Sequence, residues 1–154
     1  MMSKYIENIN TLHNNVFALT PLLVAFYKNL PKQENNILLA YFVFPIVLHK
    51  GCLEKIKVIQ GRAGLNKLTI DEEFMAGFEE RFNYYKEITN RCLQYALECK
   101  WIEINANMSV SVMDGAYMQT DARLNLSFKL VSQLHRIFRK NVQNTYILFG
   151  IKQL

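Results

Sequence analysis

The 154-residue sequence contains little proline, glycine or cysteine, with 3, 6 and 3 residues respectively, and no low-complexity tract or internal repeat. A chain with this composition is neither collagen-like nor a disordered linker. Cys52, Cys92 and Cys99 are odd in number and form no Cys-x-x-Cys pair, so a disulfide framework is not predicted. We expect reduced, buried thiols in one domain, residues 1–154, because a chain of this length buries a core without covalent staples.

Long apolar runs and an export signal are also missing. The longest apolar run, residues 37–48, has twelve residues and no charge, whereas a membrane-spanning helix needs about 20 apolar residues. Residues 1–7 contain no apolar signal core. We therefore expect a soluble, cytoplasmic protein that has no membrane partner.

Motifs for catalysis, phosphate binding and metal binding are absent as well. The glycine-rich loop Gly61–Gly64 lacks the Gly-Lys-Ser/Thr sequence that holds phosphates, so we interpret it as a turn. His13, His49 and His135 are scattered, and no cysteine lies at zinc-finger spacing. No Gly-x-Ser-x-Gly sequence is present. The expectation is a protein that is not an enzyme and that has no cofactor, no metal site and no catalytic residue.

The uncharged run, residues 37–48, is the centre around which the chain is organised. A run of this length without charge predicts a helix that is buried on every side, against which the other segments pack. Pro45 lacks the amide that would bond four residues back, so a kink or a split into two helical pieces is predicted there.

Residues 71–113 have the order helix, helix, hairpin, which is similar to a winged helix. Helices are predicted for residues 71–86 and 88–100, the first opening with three carboxylates and the second capped by Thr89. The first carries an aromatic stripe at helical spacing that predicts a core-facing side. Its members are Phe74, Phe78, Phe82 and Tyr85.

From residue 101 to residue 113 the hydrophobic period changes from 3.6 to 2. Ile102 and Ile104 alternate with Trp101 and Glu103, and after an Asn-rich turn Met108, Val110 and Val112 alternate with Ser109 and Ser111. This alternation is typical of a β-hairpin with one buried face. The predicted fold class is therefore mainly α with a small β-hairpin, an α+β domain.

The segments at the two ends give further predictions. A long basic helix is expected over residues 121–140, capped by Thr120 or Asp121. Its core stripe comprises Leu130, Val131, Leu134, Ile137 and Phe138. Residues 144–150 fit either a short helix capped by glycine or a strand added to the hairpin.

Near the N-terminus, residues 5–15 give a weak amphipathic pattern. The next helix starts either at the Thr20–Pro21 pair or earlier at Asn15, and it ends at Leu30.

Charge is distributed unevenly along the chain, whose net charge is +5. Residues 1–70 carry eight Lys/Arg against three acids, residues 71–100 carry four against seven, and residues 101–154 carry six against three. This asymmetry indicates charge-complementary partners, although a solvated surface also accounts for it. The candidate contact residues are the cations Arg123, Lys129, Arg136, Arg139 and Lys140 and the acids Glu72, Glu79 and Glu80.

A resemblance to a known family rests on four blocks in a fixed order. The blocks are Asn14-Asn15 before Leu22-Leu23-x-x-Phe26, then Phe44-Pro45-Ile46-Val47-Leu48-His49, then the Phe-rich helix with its following helix and hairpin, and finally Tyr146-x-Leu148-x-Gly150-Ile151. With these blocks the sequence resembles the middle component of bacterial ABC-three-component systems, the small subunit found in Lamassu-type defence operons.

The resemblance implies a non-catalytic adaptor in an anti-phage or anti-plasmid complex. Its implied partners are an effector subunit, often a nuclease, and an SMC- or Rad50-like ATPase, and DNA is reached indirectly through the complex. The alternative is a winged-helix regulator that binds DNA directly. In that case the basic segment 121–140 contacts phosphates, because the second helix of the unit carries only Arg91 and Lys100 against Glu87 and Glu98.

Overall fold

The computed structural model describes residues 15–58, 64–115 and 119–153. Within them lie helices α1 (Val16–Asn29), α2 (Ala40–Val47), α3 (Lys50–Val58), α4 (Gly64–Ile70), α5 (Glu72–Met75), α6 (Phe78–Glu98), α7 (Asn125–Val131) and α8 (Val142–Phe149), and strands β1 (Ile102–Ile104) and β2 (Val110–Val112). Short 3-10 helices occur at Asn36–Leu39, Ala122–Leu124 and Leu134–Arg136. The predicted fold class, mainly α with a small β-hairpin, is confirmed. The predictions for residues 5–14 and 61–63 lie outside the described residues.

Helix α2 lies at the centre of the core, where α1, α3, α6 and α7 all contact it. Residues 39, 40 and 42–47 are buried, which confirms most of the prediction, whereas Ile37, Leu38, Tyr41 and Leu48 are half-buried, so the run is not buried on every side. The predicted split at Pro45 is wrong, while the alternative, a kink at that residue, stays a prediction. The run begins as a 3-10 helix, and α2 passes through Pro45 and ends at Val47. Because proline has no amide hydrogen, the Tyr41 carbonyl four residues before it receives no helical hydrogen bond from this position.

A sharp bend follows α2. The segments Asn36–Val47 and Lys50–Val58 meet at an angle of 103°. Among the described helices no single one has both the length and the apolar composition needed to cross a membrane, and this bent pair meets those two criteria only when its halves are counted together.

Helix α1 begins at the earlier of its two predicted starts. The Asn15 side chain accepts a hydrogen bond from the amide of Ala18 at 3.2 Å, which caps the helix. The Thr20–Pro21 pair therefore lies inside the helix, where the Thr20 hydroxyl donates to the Val16 carbonyl at 2.6 Å. The end of the helix at Leu30 is confirmed.

The predicted boundary between the two helices of the helix–helix–hairpin unit is wrong, although the order is present. Asp71 caps α5 by accepting from the amide of Phe74 at 2.9 Å, but α5 ends after one turn because Gly77 adopts a left-handed conformation with φ +68°. Helix α6 then runs unbroken through Thr89, which is buried and does not cap anything. The aromatic stripe is confirmed as core. Phe74, Phe78, Phe82 and Tyr85 are all buried.

The predicted single helix over residues 121–140 is also wrong. The segment contains two 3-10 helices and the seven-residue α7 between them. Side chains compete with the α-helical backbone bonds here, since the Ser132 hydroxyl donates to the Lys129 carbonyl at 2.8 Å and His135 Nδ1 lies 2.9 Å from the Ser132 carbonyl oxygen. The Asp121 cap is confirmed, with its carboxylate accepting from the amide of Arg123 at 2.9 Å. The predicted core stripe is buried throughout.

The hairpin and the last helix complete the fold. Strands β1 and β2 are antiparallel, with Ile102 opposite Val112 and Ile104 opposite Val110, which confirms the predicted hairpin. The prediction that Met108 lies on its buried face is wrong, because this residue is 46% exposed in the turn. The amide of Val110 donates to the side-chain oxygen of Asn36 at 2.8 Å, which joins the hairpin to the entry of α2. The open choice at residues 144–150 is resolved as a helix, α8, which ends at Gly150 with φ +69°.

Candidate partner-binding surfaces

Arg81 holds the break between α5 and α6 together. Its Nη1 donates to the Ala76 carbonyl at 2.7 Å, and its Nη2 to the Phe74 carbonyl at 3.3 Å. Its Nε donates to the Pro45 carbonyl at 3.4 Å, and the guanidinium lies 5.5 Å from the centroid of the Phe78 ring. The guanidinium thus satisfies carbonyls that the end of α5 and the end of α2 leave without a helical partner.

The same guanidinium contacts a buried thiol. Arg81 Nη2 lies 3.3 Å from Cys52 Sγ. Burial raises the pKa of Cys52 to about 11, while the nearby guanidinium acts in the opposite direction. Burial also raises the pKa of Cys92 to about 11. Both thiols are therefore protonated at neutral pH, and neither is an activated nucleophile.

Lys55 neutralises part of the acidic segment. Its Nζ lies 3.0 Å from Asp71 Oδ2 and 3.0 Å from Glu73 Oε2. The pKa of Asp71 is lowered, first by the hydrogen bond from the Phe74 amide and then by Lys55. The two carboxylates share one ammonium, and the Glu73 side chain stays 76% exposed, so the three groups together keep one negative charge that a partner can meet.

The remaining acids form an exposed acidic surface, which we define as Glu72, Glu79, Glu80 and Glu87. None of the four forms an ion pair with another described residue. The two cations that lie among them in the sequence contact other groups. Arg81 donates hydrogen bonds to carbonyls, and the Lys86 ammonium lies 5.7 Å from the centroid of the Phe82 ring. The structure thus leaves the three predicted acids exposed, and their role in partner contact stays a prediction.

The predicted basic residues come from separate pieces of chain rather than from one helix face. Lys129 lies on α7, Arg136 ends a 3-10 helix, and Arg139 and Lys140 follow it. Lys140 is half-buried and the other three are exposed. In the described residues none of these four takes part in an ion pair, and we define them together as the basic surface.

Arg123 differs from the other predicted cations. Its Nη2 lies 2.7 Å from Asp121 Oδ2 and its Nε lies 3.0 Å from Asp121 Oδ1, a bidentate pair. The pair lowers the pKa of Asp121 and raises that of Arg123. Because its charge is balanced by a neighbour two residues away, Arg123 is the weakest candidate for contact with a partner.

Two exposed aromatic side chains were not identified from the sequence. Tyr84 is 61% exposed on α6, and Phe17 is 70% exposed on α1. Phe17 packs edge-to-face against Tyr95, with ring centroids 5.1 Å apart. One signal for Tyr84 was available, since its position is one residue out of register with the Phe78–Phe82–Tyr85 stripe; Phe17 carried no comparable signal.

A cleft of about 520 Å³ adjoins Phe17, between the start of α1 and the last turns of α6. Its lining is Asn15, Val16, Phe17, Arg91, Gln94, Tyr95 and Glu98. The lining combines two aromatic side chains with polar and charged ones. Among residues 15–58, 64–115 and 119–153, no three His, Cys, Asp or Glu side chains come together to hold a metal ion.

Comparison with known proteins gave one match. A family model described as ABC-three component (ABC-3C) system Middle Component 3 matches residues 3–153, almost the whole chain. No curated protein and no solved structure matches.

Proposed function

The chain belongs to the Middle Component 3 family of ABC-three-component systems, and on that premise we propose that it is a non-catalytic adaptor. In this proposal the protein bridges two subunits of a bacterial anti-phage or anti-plasmid complex. One is an effector with nuclease activity, and the other is an SMC- or Rad50-like ATPase. It holds the effector inactive until foreign DNA is sensed, and catalysis belongs to the two partners.

The observation that carries the proposal is the pair of surfaces with opposite, unbalanced charge. The acidic surface lies on α5 and α6, and the basic surface lies on and after α7. Internal pairing balances Arg123 with Asp121 and one of the two carboxylates Asp71 and Glu73 with Lys55, and it leaves four acids and four cations of these surfaces unpaired within the described residues. Surfaces of opposite sign select different neighbours and steer their association, as a bridging subunit requires.

Co-expression of the three components tests the proposal. With an affinity tag on this chain, we expect both other components to co-purify and to elute with it in size-exclusion chromatography. Changing Glu72, Glu79 and Glu80 to Lys should remove one of them, and changing Lys129, Arg136 and Arg139 to Glu should remove the other. A chain that purifies alone from cells expressing both other components contradicts the proposal.

Direct DNA binding is the second candidate, and the exposed cations of the basic surface favour it. The proposal of a DNA-binding regulator predicts duplex binding by the isolated protein, weakened when Arg136, Arg139 and Lys140 are changed to Glu. If these three side chains contact phosphates, the plot of log K against log salt should be less steep for the triple variant than for the unchanged protein. The slope should differ in magnitude by roughly 2.7, since each neutralised phosphate contributes about 0.9. Absence of duplex binding at low salt eliminates this candidate.

A further inference from the structure

The exposed side of α6 presents a continuous face in the geometry by which helices pack on helices. Its members alternate at spacings of four and three residues, and the face extends about 27 Å at 1.5 Å per residue. They are Glu80, Tyr84, Glu87, Arg91, Gln94 and Glu98. A face of this length is sufficient for one partner helix of five turns.

This face is fixed in position before any partner binds. The opposite side of α6 packs against α1 and α2, and its side chains Phe82, Cys92 and Ala96 have almost no exposed surface. A helix held along its whole buried side does not need to be ordered on binding, so little of the binding free energy is lost to conformational entropy. The face is therefore preorganised for docking.

Two exposed aromatic rings, one on the face and one at its edge, are candidate anchors for a bound partner. Tyr84, 61% exposed, leans edge-on against Tyr85 with ring centroids 5.0 Å apart. Phe17, 70% exposed, is placed beside the last turns of α6 by its contact with Tyr95. Exposed aromatic side chains surrounded by charged ones are the usual composition of an interface hot spot and its rim.

The charge around Tyr84 identifies what the partner must carry. Glu80 lies four residues before Tyr84 and Glu87 lies three after it, so both flank the ring on the same side of the helix. Neither glutamate is paired with a described cation, because Arg81 and Lys86 are engaged elsewhere. The face as a whole carries three carboxylates, Glu80, Glu87 and Glu98, against one cation, Arg91, and this excess favours an arginine- or lysine-bearing segment.

We propose that this face of α6 binds a basic helix of one of the other two components. In the complex Tyr84 and Phe17 enter apolar positions of that helix, and Glu80 and Glu87 pair with its Lys or Arg side chains. The inference rests on the proposed function, because it names the chemistry of one partner of the adaptor.

The first test is Tyr84→Ala, assayed by titration calorimetry against each of the other two purified components. We expect the Kd for one component to rise at least tenfold, as for a central aromatic anchor, and the Kd for the other to stay unchanged. Ile147→Ala is the matched control, because Ile147 is a large apolar residue, 66% exposed, on a different helix. That variant should bind both components as the unchanged protein does.

The second test changes charge without removing the aromatic rings. The double variant E80K/E87K should abolish binding of the same component, and binding by the unchanged protein should weaken with added salt. The control E54K/E103K raises the net charge by the same amount at exposed positions on α3 and β1, and it should leave binding intact. A photo-reactive benzophenone amino acid in place of Tyr84 should cross-link to a Lys- or Arg-rich helix of that component.

The outcomes separate this inference from the adaptor proposal. If the unchanged protein binds both components and the variants Y84A and E80K/E87K bind equally well, the inference is overturned while the adaptor proposal stands. A cross-link to a second copy of this chain, or to an acidic segment, also overturns it. Failure of the unchanged protein to bind either component is a failure of the proposed function itself.

Discussion

The two sides of α6 have opposite compositions and opposite tasks. The inner side carries Phe78 and Phe82, which are buried against α2, whereas the outer side carries Glu80, Tyr84 and Glu87 in contact with solvent. A change on the inner side removes contacts inside the fold. On the outer side, a change removes mainly what a partner would meet, although Tyr84 also packs edge-on against Tyr85. Changes on the inner side should therefore affect stability more than changes on the outer side.

The largest expected effect is the loss of stability in Phe82→Ala. The Phe82 ring has no exposed surface, and its centroid lies 5.2 Å from that of Phe42 and 6.2 Å from that of Tyr146. Truncation leaves a cavity and should lower the free energy of unfolding by about 3–5 kcal/mol, measured by urea denaturation. Tyr84→Ala, on the other side, should lower it by less, about 0.5–1.5 kcal/mol, because that variant loses the edge-on contact with Tyr85. Equal losses in the two variants contradict the division of α6 into two sides.

Arg81→Met should have the next largest effect, because it removes a cation that the sequence places among the surface acids. The Ala76 and Phe74 carbonyls lose a charged donor in this variant, so the free energy of unfolding should fall by about 1–3 kcal/mol in thermal denaturation. Arg81→Lys should not restore the lost stability, since one ammonium cannot donate to the same carbonyls as the three nitrogens of the planar guanidinium. Arg91→Met, at an exposed position of the same helix, is the control and should retain full stability. Full stability in Arg81→Met would show that the hydrogen bonds from Arg81 to these carbonyls do not stabilise the fold.

A smaller effect on stability is expected when the pH is lowered and the Asp71 carboxylate becomes protonated. The folded-state pKa of Asp71 is lowered, so its contribution to stability is present above the unfolded pKa of about 3.9 and is lost as the pH falls through the folded value. Asp71→Ala should therefore flatten the decline of Tm between pH 5 and pH 2. The Tm of Glu72→Ala should follow the unchanged protein over this range. An unchanged decline in Asp71→Ala shows that other carboxylates set the acid limit.

The smallest effect is expected from Thr89→Val on the inner side of α6. The Thr89 hydroxyl is buried, and within the described part of the chain its Oγ1 has no hydrogen-bond partner. Valine has nearly the same shape and no polar group to desolvate, so the variant should gain up to about 1 kcal/mol of stability. Thr89→Ser keeps the hydroxyl and removes a methyl group, and it should lose stability. Destabilisation by valine indicates a partner for the hydroxyl.

Local patterns predicted much of the fold. The spacing of Phe74, Phe78, Phe82 and Tyr85 identified a buried stripe, and the alternation at residues 102–112 identified the hairpin, because both periods follow from backbone geometry. The break at Gly77 was missed. A short acidic turn followed by an aromatic stripe has one unbroken period, and a single glycine inside such a period does not reveal that it takes a left-handed conformation.

The candidate surfaces were predicted less completely than the fold. Glu72, Glu79 and Glu80 were identified correctly as exposed positions because they lie opposite the stripe. Arg123 was grouped with the other cations although Asp121 neutralises it. Tyr84 and Phe17 were not separated from the remaining aromatic residues, since an aromatic side chain has the same local pattern whether or not another element covers it.

The sequence by itself determined which residues are apolar enough to form the core, where the hairpin lies and how the charge is divided among the segments. Only the tertiary structure decided which of those charges remain for a partner. Arg81 is bound by Pro45, which lies 36 residues away, and Lys55 is bound by Asp71. The physical reason is that a charge becomes available or occupied through contacts between distant segments, and those contacts exist only after the helices have packed around α2.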